Sequence, residues 1–286
     1  MAAELARELD TRDVLDLAPR PTRARQLRYW SALWPQLLAL LVAISLWQVV
    51  AWSGWRPATE LPGPWPVFHR LFNDLTSRNF YLGVAITLFR AGIGYGIAVV
   101  AGTAVGLLVA RVTFLRRALG SALLGLQSMP SIAWFPLAIL FFEKSEPAII
   151  LVVLLGAAPA IANGLLSGVD HVEPLLVRVG RVMGARGLGL YCHVILPAAL
   201  PSFVGGLKQG WAFAWRSLMA GELILNFIGP HPPLGWQLRS AQNSQDAPQL
   251  IALMIVIFII GVLVDSGFGV LDREIRRRWG LVGAEA

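Results

Sequence analysis

Six stretches of this chain are apolar for about twenty residues or more: Leu33 to Trp52, Leu82 to Ala110, Leu119 to Phe142, Ala148 to Ser167, Phe203 to Phe227 and Leu250 to Leu271. At about 1.5 Å of rise per residue, each is long enough as a helix to cross a hydrocarbon layer roughly 30 Å thick. Inside that layer every backbone N–H and C=O must be satisfied without water, and a helix does so within its own segment. The sequence therefore specifies an all-α, polytopic membrane protein with six transmembrane helices. The composition agrees, with 56% hydrophobic residues, 14% charged residues and a mean hydropathy of +0.62, far too apolar for an ordinary soluble domain. The net charge of +7 does not indicate nucleic acid, because the basic residues sit in short clusters beside the apolar spans and form no single basic face. Cys192 is the one cysteine, so an internal disulfide and a cysteine metal cluster are both excluded. His69, His171, His193 and His231 have no metal-ligand spacing, and no metal site is expected.

The same basic clusters orient the chain. Residues 1–32 mix six arginines with acidic residues and hold no early apolar core, so they read as a cytoplasmic N-terminal extension and not a cleaved signal, helical in part between Glu4 and Leu17. With that end inside, the inner segments carry sixteen Lys or Arg and the outer loops five. The excess places both termini and the loop from Asp170 to Pro201 in the cytoplasm. Four regions result: the extension 1–32, a first helix and outer link 33–60, a core 61–271, and a cytoplasmic tail 272–286.

Along the core, Leu61-Pro62-Gly63-Pro64-Trp65-Pro66 leads into a short amphipathic piece from Val67 to Leu75. In the second span, Gly92/Gly96 and Gly102/Gly106 are each four apart, a spacing that lets a neighbouring helix approach closely. Arg90, near its outer end, is expected to snorkel. Arg111, Arg116 and Arg117 make a compact basic loop. Pro130 and Pro136 interrupt the third span, and each removes a backbone hydrogen bond and kinks a helix. The freed carbonyls must be buried in protein or face a wet cavity, so this span is either a wall of a pathway or a kinked packing helix.

The fifth span holds Lys208, Arg216 and Glu222. An ionised residue at bilayer depth costs about 2.5–3.5 kcal/mol on insertion scales, so three in one span point to a surface lined by protein or water. Lys208 reads as a snorkelling residue near the cytoplasmic end. Arg216 and Glu222 are six apart, about 240° around a helix, and are poor partners for each other. Each needs a partner elsewhere: another span for either residue, or an anion for Arg216. Residues 228–248 read as an outer loop.

The loop from Asp170 to Pro201 is the longest polar interruption. Asp170, Glu173 and Pro174 are helix-start signals, and Leu175, Val179, Val182 and Met183 then fall on one side with Arg178, Arg181 and Ala185 on another, until Gly184 and Gly187. By itself this is an interfacial helix. Its detail is more specific: Gly184, nine residues, then Val194-Ile195-Leu196-Pro197 resembles the loop signature of ATP-binding-cassette (ABC) importer permeases, a Glu-Ala-Ala start, a Gly six positions after the Glu, and a hydrophobic-x-Leu-Pro end. The Glu-Ala-Ala positions are Arg178-Val179-Gly180 here, a departure from that pattern. The Leu-Pro-x-Pro link, Thr87-Leu88-Phe89-Arg90, the Met129-Pro130 to Pro136-Leu137 segment and Ala220-Gly221-Glu222 resemble the nitrate, sulfonate, taurine and bicarbonate subgroup of that family.

The resemblance implies a type I ABC importer permease fold in which this loop is a cytoplasmic coupling helix between helices four and five. It implies ATPase-coupling roles for Arg178, Arg181, Gly184, Ala185, Arg186, Gly187, Leu196 and Pro197. Pathway candidates are Pro130, Pro136, Arg216 and Glu222. The partners implied are two cytoplasmic ABC ATPase subunits, a second copy of the permease, an extracytoplasmic substrate-binding protein and membrane lipid, in the cell inner membrane. No Gly-x-x-x-x-Gly-Lys-Ser/Thr occurs, since Lys144-Ser145 has no glycine loop before it and Lys208 is followed by Gln209, so ATP and Mg belong on the partner and no cofactor on this chain. Nor is there a nucleophile elbow or a His-Glu-x-x-His. The implied function is uptake of a small anion, an aliphatic sulfonate or taurine first, then nitrate or bicarbonate. The alternatives are an ATP-independent secondary transporter or channel, which usually shows matched interrupted halves not found here, and an intramembrane enzyme, which needs a convergent polar set.

Overall fold

The computed structural model describes residues 22–225 and 230–278, with side chains from residue 34 onward. The expected partial helix between Glu4 and Leu17 lies outside the described residues. The chain forms two units, divided between Trp65 and Pro66. In the first, helix α1 (Thr22–Trp52) begins inside what the sequence reads as the extension and runs through Pro35. The following link folds back on it: the Trp47 indole donates to the Pro62 carbonyl at 3.0 Å, and Gly63 leaves no more than van der Waals space beside Gln48.

The second unit contains α2 (Pro64–Leu75, from Pro66), α3 (Arg78–Arg111), α4 (Thr113–Ser128), α5 (Phe135–Phe142), α6 (Glu146–Asp170), α7 (Pro174–Val182), α8 (Gly187–Leu190), α9 (Leu196–Ile224), α10 (Leu234–Asn243) and α11 (Ala247–Arg278). No strand occurs among the described residues. Among the described residues five helices are long and apolar enough to cross a membrane, and α4 with α5 makes a sixth span if the bent pair is counted as one.

Helix α6 is the centre, packed between α3 and α9 through small residues. An added Cβ at Gly164 would stand 2.4 Å from the Gly206 Cα, one at Gly168 would stand 2.6 Å from the Ala199 carbonyl oxygen, and one at Gly210 would strike Ile161 at 2.6 Å. On the other side, Gly102 and Gly106 sit against Ala158 and Ala162, and Gly94 against Val153. Backbones at this spacing gain dispersion contact that larger side chains would prevent, which is what holds helices together when lipid removes the hydrophobic drive. The Gly102/Gly106 pair serves as its spacing predicts. Gly92 and Gly96 do not, since both face open space, and Gly94 between them makes the contact instead.

The third span is not a kinked helix. Met129 and Pro130 are extended, a single 3₁₀ turn (Ser131–Trp134) follows, and the two helices meet at 103°. Pro130 forces Met129 out of the α region, and Pro136 lies in the first turn of α5, where its missing N–H removes no bond. The basic loop after α3 is nearly all helix too, with Val112 alone outside it, and Arg116 pairs with Asp170 at the end of α6. The sequence reads residues 228–248 as loop, but α10 occupies half of them. Asp246 accepts from Arg70 at 3.1 Å and Asp74 from Gln249 at 2.7 Å, tying α2 to the start of α11.

Gly164→Ala is expected to lower the thermal stability of the purified chain, by about 1–3 kcal/mol as for an overpacked core. Gly96→Ala is expected to change it by no more than about 0.5 kcal/mol. Melting of the two variants in the same detergent checks the difference.

Candidate functional site

Helix α7 begins with Glu173 at its N-cap and Pro174 in its first turn. Its one buried residue is Gly180, where a Cβ would lie 2.9 Å from Val194 and 3.0 Å from Leu190. The helix therefore lies flat against the segment that leads into α9. Its other faces are open: Leu175, Leu176 and Val179 are exposed, and Val182 and Met183 are 88% and 82% exposed, beside exposed Arg178 and Arg181. Two bonds end it, Gly184 N–H to the Arg181 carbonyl at 3.0 Å and Ala185 N–H to the Gly180 carbonyl at 2.9 Å. This is a Schellman stop, and Gly184 takes the left-handed position it requires, at φ +89°. Half-buried Ala185 and exposed Arg186 then lead to Gly187, at φ +53°, which opens α8.

From α8 the chain passes without a break through a π turn (Tyr191–Ile195) into α9, with Leu196 N–H bonded to the Tyr191 carbonyl. The wider turn makes room for the ring of Pro197, which would otherwise press on the carbonyl four residues back. Leu196 and Pro197 are the half-buried first residues of α9, and Pro201 is helical as well, so the fifth span starts earlier than Phe203.

A second constellation joins α3, α6, α9 and α10. The Glu222 residue is 2% exposed, and its carboxylate accepts from Thr87 Oγ1 at 3.0 Å, from Arg90 at 3.3 Å and from the Gly235 backbone N–H at 3.0 Å. Thr87 Oγ1 in turn accepts from the Leu234 N–H at 2.9 Å. Arg90 also pairs with Glu146 in the first turn of α6. Arg90 thus bridges two carboxylates and does not snorkel. The start of α10 is held by one carboxylate and one hydroxyl, a favourable use of the positive end of a helix.

Arg216 lies elsewhere, exposed, in a groove between α9 and α11. Its Nε donates to the Ala212 carbonyl at 3.0 Å and its guanidinium stands 4.8 Å from the centre of the Phe213 ring. It forms no ion pair among the described residues, and it shares no partner with Glu222. Lys208, half-exposed on α9, pairs with Asp265 of α11 at 3.1 Å. Pro130 and Pro136 are both exposed, on the broken span. Sequence reasoning passed over Asp265, Glu146 and α10; a lone carboxylate within the apolar sixth span was the available signal for the first. Among the described residues no His, Cys, Asp and Glu group is arranged to hold a metal ion.

Two solved structures share this architecture. A chain of the MetNI methionine ABC transporter in an inward-facing conformation superposes with a TM-score of 0.59 at 20% identity, covering 69% of this chain and 96% of that one. A chain of a bacterial alginate ABC transporter, in complex with alginate pentasaccharide-bound periplasmic protein, gives 0.56 at 15%, covering 89% and 96%. Fold and helix order together are those of the type I ABC importer permease fold. A family model described as binding-protein-dependent transport system inner membrane component matches residues 98–277, and the chain belongs to that family.

Nitrate import permease protein NrtB of Leptolyngbya laminosa is 26% identical over 249 residues, 84% of this chain and 87% of its own. SsuC of Bacillus subtilis, named for transport of aliphatic sulfonates, is 28% identical over 239 residues, with 84% and 85% covered. Bicarbonate transport system permease protein CmpB of Synechococcus elongatus is 27% identical over 252 residues, with 84% and 88% covered. The chain is a multi-pass permease subunit of an ATP-driven importer.

Glu222→Ala is expected to cost about 1–3 kcal/mol, because it leaves the Gly235 N–H without its acceptor and the Arg90 guanidinium with Glu146 in place of two carboxylates. Arg90→Ala should cost less in that background than in the wild-type chain. A double-mutant cycle on thermal stability measures the coupling.

Proposed function

We propose that this permease works with two cytoplasmic ABC ATPase subunits, a second copy of itself and an extracytoplasmic substrate-binding protein. ATP and Mg are held by the ATPases, and this chain carries no cofactor of its own. The observation that supports the reading is α7: a short helix fixed to the base of α9 through Gly180, ended by a Schellman stop, with Leu175, Val179, Val182 and Met183 turned to solvent. A soluble-facing helix that exposes large apolar side chains together is a docking surface in want of a groove. Arg178, Arg181 and Arg186 border it and add charge that an acidic groove would match. The excess of Lys and Arg on the inner segments supports a cytoplasmic position for both termini and for α7, in the cell inner membrane.

The substrate is a small anion. The exposed Arg216, which forms no ion pair among the described residues, supports this, as do relatives named for nitrate, sulfonate and bicarbonate; an aliphatic sulfonate or taurine comes first, ahead of nitrate and bicarbonate. ATP-driven closure of the ATPases would shift α7, and rigid-body movement of the helices would alternate access to the pathway.

Isolation of the tagged chain from its native membrane in mild detergent should bring down a stoichiometric ATPase. Val182→Asp with Met183→Asp should reduce that recovery at least tenfold with membrane insertion unchanged, and so should deletion of Gly184 to Gly187. Undiminished ATPase recovery with these variants, or recovery of the wild-type chain alone, would remove the coupling role.

A further inference from the structure

Helices α3, α4 and α6 enclose a crevice of about 330 Å³ whose wall is apolar throughout. Ala101 and Val105 of α3, Leu119, Leu123 and Leu126 of α4, and Pro159 of α6 are among the residues that line it. It opens at the surface of the described chain, where Leu119 and Ala122 are exposed. A 15 Å length of helix about 10 Å across takes up roughly 1200 Å³. A hydrocarbon chain therefore fits where a further helix does not.

One end of the crevice is charged. Val112 alone separates α3 from α4, so Arg111, Arg116 and Arg117 crowd one corner. Leu119, Ala122, Leu123 and Leu126 recur at three- and four-residue spacing as one stripe of α4, and Arg116 continues that stripe below Leu119. Arg116 pairs with Asp170 at the end of α6. Arg111 and Arg117 are exposed and form no hydrogen bond or ion pair among the described residues. Arg111 and Arg116 both lie within electrostatic reach of half-buried Tyr191. Three arginines against one aspartate leave the corner positive. At the end of α11, by contrast, Arg276 and Arg278 are matched by Asp272 and Glu274 of the same helix.

The depth of the crevice is that of one bilayer leaflet. Leu126 lies ten residues from Arg116, Ala101 ten from Arg111 and Pro159 eleven from Asp170, about 15–17 Å along each helix axis. Half of a hydrocarbon layer roughly 30 Å thick is the same distance. A ligand that fills the crevice and reaches the corner has an anionic head at the membrane surface and a hydrocarbon tail one leaflet deep. Inside a membrane the tail gains packing only, so the arginines decide which lipid stays.

We propose that the α3–α4–α6 crevice is a binding site for an anionic phospholipid. Arg111, Arg116 and Arg117 hold its charged headgroup, and one acyl chain lies against Leu119, Leu123 and Leu126. None of the residues assigned to ATPase docking or to the pathway lines the crevice, so the site goes beyond the importer reading and does not depend on which substrate crosses.

The test is native mass spectrometry of the purified full-length chain in detergent. The probes are dioleoyl phosphatidylglycerol and dioleoyl phosphatidylcholine, which share acyl chains and differ in net charge. The first phosphatidylglycerol should bind at least tenfold more tightly than the first phosphatidylcholine. Arg111→Gln with Arg117→Gln should remove that preference, whereas Arg111→Lys with Arg117→Lys should keep most of it. Ala122→Phe, which adds a ring at the crevice wall, should weaken phosphatidylglycerol at least tenfold with the arginines intact.

Equal affinity for the two lipids, or an unchanged preference in the double Gln variant, would overturn the proposal. Unchanged affinity in Ala122→Phe would do the same, because the headgroup would then bind without the crevice. Inorganic phosphate bound as tightly as phosphatidylglycerol would make the corner a free-anion site. Phosphatidylglycerol held by the monomer and not by a dimer would give the crevice to the second copy, and either result sinks the lipid assignment.

Discussion

The contact between Gly164 of α6 and Gly206 of α9 is the constraint on which the rest of the membrane core depends. It brings two backbones so close that no side chain fits between them. Lipid tails are as apolar as leucine, so such contact must supply the cohesion that water supplies in a soluble core. With α3 laid against the opposite side of α6 through Gly102 and Gly106, three helices become one body. Both ends of α6 are then fastened by charge: Glu146 to Arg90 of α3, and Asp170 to Arg116 of α4. The apolar contact sets how close the helices come, and the ion pairs at either end set how far they may slide.

This arrangement separates two kinds of charge in α9. Glu222 is closed in by Thr87, Arg90 and Gly235 and serves the architecture, fixing where α10 begins. Lys208 and Arg216 lie on an exposed face toward α11, away from that closed network. One helix thus carries a structural carboxylate on its packed side and ionised groups on its open side. Its small residues make this possible, because they let the packed side be narrow.

Much of this was legible in the sequence, and the failures have physical reasons. Long apolar runs fixed the number and place of the spans because the thickness of a bilayer leaves little choice. The spacing from Gly184 to Leu196-Pro197 was informative because each residue meets a backbone demand: a left-handed φ at the helix stop, and a proline at the entry to α9 eased by the π turn. Gly92 and Gly96 misled because spacing tells which residues share a helix face but not which face another helix will cover. Pro130 and Pro136 were read as two kinks, yet a proline pair six apart can end one helix and start the next. Asp265 went unnoticed beside the more conspicuous arginines, and the partners of Arg90 were out of reach because they come from α6 and α9, distant in sequence.

The unbroken run from Gly187 to Ile224 has a mechanical meaning. Leu196 lies ten residues from Gly206, about 15 Å along the axis, and Glu222 lies sixteen residues beyond it, about 24 Å. If α9 rocks as a rod on the Gly164–Gly206 contact, that contact is a fulcrum with unequal arms. A displacement of 2 Å at the short arm, beside α7, becomes about 3 Å at the long arm. The protein would then be geared: a small push at the base is traded for a larger excursion at the opposite end, with glycine, the residue that takes up no room, as the pivot.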